Sequence, residues 1–528
     1  MKVHFVSLGC PKNRVDAEHM LGLSVAGGHT IVETAEEADA IVVNTCSFIG
    51  EAKKESIEAI LEMGQLKERT GAKLIVSGCM AQRYIGELES ELPEVDAFLG
   101  TSDYTAIGDV LGPAKGTPKK RGVLTILPDD VEVLAARSSA THLAVQGQGQ
   151  GQGQGQAAHE HEHHERNLVT TDLTFVAGCD IPRINSMPRY TAYLKIAEGC
   201  DNTCAFCIIP KLRGKQRSRP IADLVKEAAH LAKGGVVELN LIAQDLTGYG
   251  HDLPAETTGP YAGKRPTLAQ LLEALQVVEG IRWVRCMYAY PRTLSDELLH
   301  MLDGGPGGGA NVLPYLDIPT QHGSDRMLRR MRRGKDQKRI SEMLVDLRAR
   351  VRNAVLRSTV IVGFPGEDDD DFEKLVSFAE AVRFERLGVF KYSDEEGTSA
   401  YELDGKLPFS IKRARYDKLM RRQRKIHEQK MKALVGTVHE AIVEGQSEEH
   451  ELLVKGRLWS QAPEIDGMTY LSSPRALSVG EIVHVLVTDA KDYDVVGEVL
   501  DESDPRVAGS APFRSRTAMK SAAHGVAA

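Results

Sequence analysis

Cysteine, tryptophan and long apolar runs are all scarce in this sequence. Its 528 residues include 8 cysteines and 2 tryptophans, and aromatic residues make up 5%. No run of about 18 apolar residues occurs, so no membrane-spanning helix and no membrane partner are expected. The start, "MKVHFVSLGC", lacks the charged region and long apolar core of a secretory leader. The cytoplasm is therefore the expected compartment, where thiols stay reduced. Grouped cysteines there point to metal binding or catalysis rather than disulfides. A formal net charge of −9 argues against a chain that coats nucleic acid indiscriminately.

The length calls for roughly two to four domains. Three apolar runs open the chain: "VHFVSLGC" (3–10), "AIVVNTCSF" (40–48) and "KLIVSGCM" (73–80). Each ends in or near a cysteine, and helical stretches separate them. That alternation implies a parallel sheet, whose ligands sit beyond the carboxyl ends of the strands. Cys10, Cys46 and Cys79 are thereby expected to meet. Residues 113–185 read as a disordered insertion and linker. They hold an alternating Gln/Gly tract and "HEHEHHE" (159–165), whose histidines could take up divalent metal.

A second alternating pattern begins near 190. Six strand-like runs follow, at 193–199, 236–245, 284–291, 315–323, 358–367 and 387–397. Six βα units suit a partial barrel, with Gln244, Asp245, Gln321, His322 and the Gly363–Glu367 stretch at the strand ends. The acidic "EDDDD" (367–371) suits a helix N-terminus. Residues 412–432 hold ten Lys/Arg against Asp417 and Glu428. This is a solvated helix face or a contact for RNA. From 435 to about 503, short β-rich runs suggest a small antiparallel barrel. Trp459 and Arg457 in it are either core residues or an RNA-stacking pair. The tail from 504 reads as loose.

"EGCDNTCAFCIIP" (198–210) sets Cys200, Cys204 and Cys207 on one short stretch. A zinc site usually takes two separated pairs of ligands, and no second pair exists here. A ferredoxin run has other spacings and a fourth cysteine close by. Three thiolates on a [4Fe–4S] cluster leave one iron open to another ligand. Two Cys₄ clusters would instead consume all eight thiols, with Cys179 and Cys286 as the fourth ligands.

The Cys-x3-Cys-x2-Cys spacing, with Phe206 before its last cysteine, resembles the radical S-adenosylmethionine enzymes. The set "SLGCPKNRVDAEHM", "NTCSFI", "SGCMAQRY", "EGCDNTCAFCIIPKLRGKQRSRP", "LIAQDLTGYG", "MYAYP", "YLDIPTQH", "MRRG", "VIVGFPGE" and "LGVFKYSDEEGTSAY" resembles the methylthiotransferases. It is most similar to their ribosomal protein branch, since Pro11 and Lys12 stand where the transfer-RNA branch typically carries Gln-Met. The resemblance implies an α/β chain of three parts: a parallel-sheet N-terminal domain (1–112), a partial (βα)6 radical S-adenosylmethionine barrel (186–425) and a C-terminal TRAM barrel (426–503), with a tail at 504–528. It implies one [4Fe–4S] cluster on Cys10, Cys46 and Cys79 and a second on Cys200, Cys204 and Cys207. Two molecules of S-adenosylmethionine serve per turnover, as methyl donor and as source of a 5′-deoxyadenosyl radical. The implied reaction places a methylthio group on the β-carbon of an aspartate in small-subunit ribosomal protein number twelve, free or in the ribosome. An external electron donor and a sulfur donor are implied as partners, and RNA contact is expected through the basic helix and the TRAM domain. Strand-end position makes Gln244, Gln321, Ile361 and Gly363 the expected S-adenosylmethionine contacts. Tyr392, Glu395 and Glu396 are expected on the substrate side. Methylthiolation of transfer RNA is the alternative activity, and an iron–sulfur sensor or electron carrier the alternative outside catalysis.

Overall fold

The computed structural model describes residues 1–113, 166–257, 262–291, 294–304, 309–334, 336–448 and 453–507. The Gln/Gly and His/Glu tracts and the tail beyond 507 lie outside the described residues. The chain divides into two compact units. One comprises Met1–Ser47, Glu51–Asp172 and Pro182–Ser186, the other Phe48–Gly50, Leu173–Ile181 and Met187–Ala528.

The first unit is a wholly parallel sheet of β1 (Lys2–Ser7), β2 (Thr30–Ile31), β3 (Ala40–Thr45), β4 (Lys73–Gly78), β5 (Ala97–Leu99) and β6 (Asn167–Leu168). Their spatial order is β2-β1-β3-β4-β5-β6. Every residue of β3 is buried, as a central strand covered on both faces requires. The expectation of disorder up to residue 185 fails for its last part. Phe98 pairs with Asn167, and the Arg166 guanidinium donates to the carbonyls of Val95 (2.6 Å), Glu89 (3.0 Å) and Leu92. A short edge strand held by one arginine is invisible to composition. Further along, the buried Glu18 carboxylate receives Arg183 (2.6 Å) and the Ser186 amide (2.8 Å).

The second unit carries β7 (Thr191–Lys195), the two-stranded ribbon β8 (Ala197–Glu198) and β9 (Arg217–Ser218), then β10 (Glu238–Ile242), β11 (Trp283–Cys286), β12 (Val312–Asp317), β13 (Val355–Val362) and β14 (Arg386–Lys391). Six of these form one parallel sheet, β14-β13-β12-β11-β10-β7, left open between β7 and β14. This is the expected partial barrel. The strands end earlier than the apolar runs suggest: Gln244, Gln321 and Gly363 all lie in the loops beyond β10, β12 and β13. The acidic stretch caps a helix as expected, with Asp368 and Asp371 closing a reciprocal capping box on Asp369–Val382.

The basic segment is one continuous helix, Phe409–Leu434, so the boundary expected at 425–426 falls inside it. Much of its charge is matched within the protein. Arg415 meets Glu367 and Asp369, each at 2.8 Å, Arg422 meets Glu380 at 3.5 Å, and Lys418 and Lys430 meet Glu373 and Glu385. Arg421, Arg424, Lys425 and Lys432 remain on the exposed face.

Five strands then close a barrel: β15 (Val438–Gln446), β16 (Val454–Leu458), β17 (Thr469–Ser472), β18 (Ile482–Lys491) and β19 (Asp494–Val499). It is antiparallel as expected except at one seam, where β17 and β19 run parallel. Arg457 and Trp459 are each 2% exposed, so neither is an RNA-stacking residue. Arg457 instead reaches Glu238 of the larger sheet at 2.5 Å, and Arg285 reaches the same carboxylate at 3.0 Å. Trp283 Nε1 donates to Glu440 (3.3 Å) and Tyr315 to Asp466 (3.0 Å). The small barrel is thus locked to the base of the larger sheet by buried polar contacts.

Candidate metal centres

In the first unit, β1, β3 and β4 are adjacent, with Ser7 opposite Asn44 and Asn44 opposite Ser77. Cys10, Cys46 and Cys79 follow these three strands directly. Topology therefore gathers thiols 69 residues apart at one edge. A Cβ on Gly9 would stand 2.7 Å from Cys46 Cβ and 3.2 Å from its sulfur, which places Cys46 against the Cys10 turn. Gly78, at φ +95°, has Thr45 O 2.7 Å from where a Cβ would sit. Only glycine lets the chain turn there toward Cys79. Asn13 braces the three turns. Its Nδ2 donates to Thr45 O (2.8 Å), its backbone oxygen accepts from Asn44 (2.7 Å), and its Oδ1 lies 3.6 Å from Cys79 Sγ. Sequence reasoning missed Asn13, although its spacing three residues after Cys10 places it in the first helical turn. Ser47 ties the second turn to the third by donating to Cys79 O at 2.9 Å.

In the second unit, the loop after β8 carries Cys200, Cys204 and Cys207. The Cys200 amide donates to Gly214 O (3.0 Å), and the Ala205 amide to Met331 O (2.9 Å). Two side chains donate to the sulfurs: Asn202 Nδ2 to Cys200 (3.3 Å) and Arg333 Nη1 to Cys204 (3.3 Å). Neither stood out in the sequence, though Arg333 lies in the quoted "MRRG". Burial raises the Cys200 thiol's pKa against the opposing pull of the Asn202 donors. Burial likewise pushes Cys207 up to about 12, and its neighbours Cys204 and Cys200 add to the shift. Metal binding here must therefore displace protons.

The other expected residues lie around the same sheet. Gln244 donates to Glu198 (2.6 Å), while its buried Oε1 has no hydrogen-bond partner. Glu198 is in turn clamped by Lys195 (2.7 Å) and Arg213 (2.9 Å). Against the effect of burial, these hold its carboxyl far below the usual range. Gln321 takes a left-handed backbone, φ +71°, and its buried Oε1 is likewise unpartnered. Ile361 packs with Phe206 on a cluster that includes Phe364, Tyr392 and Met331. The Gly363 amide donates to Glu367 (2.7 Å), so its N–H is already used. Tyr392 donates to Asp394 (3.1 Å), Glu395 is buried and accepts from Ser393 (2.7 Å), and Glu396 is exposed.

The donor set suits clusters better than single ions. Among the described residues, no three His, Cys, Asp or Glu side chains converge as one metal ion requires. A [4Fe–4S] cluster needs less convergence, because each thiolate ligates a different iron. The two remaining thiols are poor fourth ligands. Cys286 is fully buried in the apolar core of the sheet, with its pKa pushed by burial to about 12. Cys179, raised to about 11 by burial and by Asp223, donates its amide to that carboxylate.

Comparison with known proteins follows the same division. Residues 2–100 match the "Uncharacterized protein family UPF0004", residues 194–379 the radical SAM superfamily and residues 435–500 the TRAM domain. The radical SAM match implies a [4Fe–4S] cluster and S-adenosylmethionine. The chain is 46% identical to the ribosomal protein uS12 methylthiotransferase RimO of Myxococcus xanthus, covering 96% of this chain and 93% of that one. It is 47% identical to the protein of the same name from Sorangium cellulosum, covering 97% and 93%. Among solved structures, the radical S-adenosylmethionine methyltransferase TsrM of Kitasatospora setae aligns with a TM-score of 0.49 and 13% identity, over 76% of this chain and 73% of that one.

Proposed function

Because this chain belongs to the family of the ribosomal protein uS12 methylthiotransferases, we propose that its own reaction puts a methylthio group in place of one hydrogen on the β-carbon of a uS12 aspartate. One observation carries the reading: two separate cysteine triplets in one chain, one gathered from three adjacent strand ends and the other wound on one loop. Cys10, Cys46 and Cys79 would hold one [4Fe–4S] cluster, and Cys200, Cys204 and Cys207 a second. Each triplet leaves one iron without a cysteine. When bound, the clusters and S-adenosylmethionine supply homolytic hydrogen abstraction and methylthio transfer, chemistry that no side chain provides.

The chain's own residues bind, orient and exclude water. Buried amide oxygens without partners are costly, so Gln244 Oε1 and Gln321 Oε1 serve as acceptors for the donors of S-adenosylmethionine. The Glu198 clamp fixes Gln244 by accepting from its amide. Ile361 and Phe206 offer an apolar wall, and Gly363 acts through its backbone shape, since Glu367 occupies its N–H. Tyr392 and Glu395 shape the substrate side. The free face of the Phe409–Leu434 helix supplies contact with ribosomal RNA. An external reductant and a sulfur donor complete the partners, and the cytoplasm is the compartment where uS12 is met.

The test is the full chain reconstituted with iron and sulfide, then given reductant, S-adenosylmethionine and uS12. Formation of 5′-deoxyadenosine together with methylthiolated uS12 is expected, and Cys204→Ala should abolish both. Formation of neither by the parent protein would overturn the reading.

A further inference from the structure

Arg333 stands where a positive charge can act on the cluster loop. It lies after the helix Asp325–Arg330, on the turn whose Met331 carbonyl accepts from Ala205 between Cys204 and Cys207. Its Nη1 donates to Cys204 Sγ at 3.3 Å and its Nη2 to Pro319 O at 2.5 Å. The guanidinium lies 3.9 Å from the centre of the Tyr290 ring, and the Tyr290 hydroxyl donates back to Arg333 O at 2.8 Å. The residue is 5% exposed, so solvent screens its charge little. Three separate contacts fix its position, which is more than burying an aliphatic stem requires.

We propose that Arg333 is a positioning residue that sets the reduction potential of the Cys200–Cys204–Cys207 cluster through its charged hydrogen bond to Cys204. This rests on the assignment of a cluster to that loop. A [4Fe–4S] cluster held by three thiolates gains one negative charge on reduction. A buried cation donating N–H to one sulfur stabilises the more negative state and raises the potential. Asn202, donating to Cys200 at 3.3 Å, is a neutral counterpart and shifts it less. The arginine fork is the reason for the residue type. Lysine would keep the charge but could not hold Pro319 O and Cys204 Sγ with two fixed N–H groups.

The experiment is a redox titration, followed by electron paramagnetic resonance, of the full chain reconstituted with iron and sulfide. Cys10, Cys46 and Cys79 are replaced by alanine so that one cluster is titrated. Arg333→Gln is expected to lower the potential and Arg333→Lys to lower it less, with iron content unchanged. Asn202→Ala is expected to shift it less than Arg333→Gln. Equal potentials for the parent and Arg333→Gln, both with a full cluster, would overturn the proposal and leave the functional reading intact. A parent that takes up no iron at Cys200, Cys204 and Cys207 would overturn the functional reading itself. If Arg333→Gln fails to retain the cluster, the lysine variant decides: a lowered potential supports the proposal and an unchanged one refutes it.

Discussion

Replacing Glu238 by glutamine should loosen the small barrel from the larger sheet. The carboxylate is fully buried and meets Arg457 at 2.5 Å and Arg285 at 3.0 Å. Burial alone would raise its pKa, yet Arg457 and Arg285 bring it from 4.5 down to about 2. A carboxyl shifted that far on folding contributes about 3 kcal/mol. Removing one partner of a buried pair costs a similar ~3–5 kcal/mol, because the remaining guanidiniums stay buried. With a urea dependence of about 3 kcal/mol per molar, Glu238→Gln should lower the unfolding midpoint by about 1 M. Both tryptophans, Trp283 and Trp459, are buried in this unit, and Trp283 donates across the interface, so their fluorescence reports the loss. The folded pKa is depressed, so the contribution is complete above pH 4.5 and is lost as pH falls toward 2. The gap between parent and variant should therefore hold at pH 7 and narrow below pH 4.5. A midpoint shift under about 0.3 M at pH 7 would refute the reasoning.

Gly78→Ala forces a Cβ against Thr45 O at a left-handed position, and the iron bound by the first unit should fall by more than half while the second unit's cluster remains, as measured by iron content and Mössbauer spectra. Cys286→Ala should leave iron and sulfide content unchanged and cost about 1 kcal/mol of stability from the small void, since this thiol only packs in the core. Gln321→Ala removes one proposed acceptor and should weaken S-adenosylmethionine binding by roughly tenfold in equilibrium dialysis, with the clusters intact.

The cysteine pattern made both triplets legible as candidate centres, because parallel topology alone brings Cys10, Cys46 and Cys79 to one edge. The positions of Gln244 and Gln321 just beyond strand ends were legible by the same rule. What the sequence hid were the braces. Asn13 and Arg333 act through hydrogen bonds to groups far away in sequence, and Asn202, two residues from Cys200, reads in the sequence as one more polar loop residue. The basic helix carries less unpaired charge than its composition suggests, for a related reason. Composition counts its cations but not the acidic partners Glu367, Glu373, Glu380 and Glu385 across the packing surface. Arg457 and Trp459 stayed open between core and RNA contact in the sequence, because whether a barrel residue faces water depends on which surface the larger sheet covers; the core alternative holds. The ordered edge strand at Asn167–Leu168 depends on Arg166 meeting three carbonyls, a contact that no window of composition contains.

The most direct test of the central claim is the mass of uS12 purified from cells with and without this protein, with fragmentation to locate any change. A mass increment of one methylthio group replacing one hydrogen, on the β-carbon of an aspartate, is expected with the protein and not without it. The increment should return with the intact chain and not with Cys204→Ala. An unmodified aspartate in both strains, or an increment that persists in cells lacking the protein, would contradict the account.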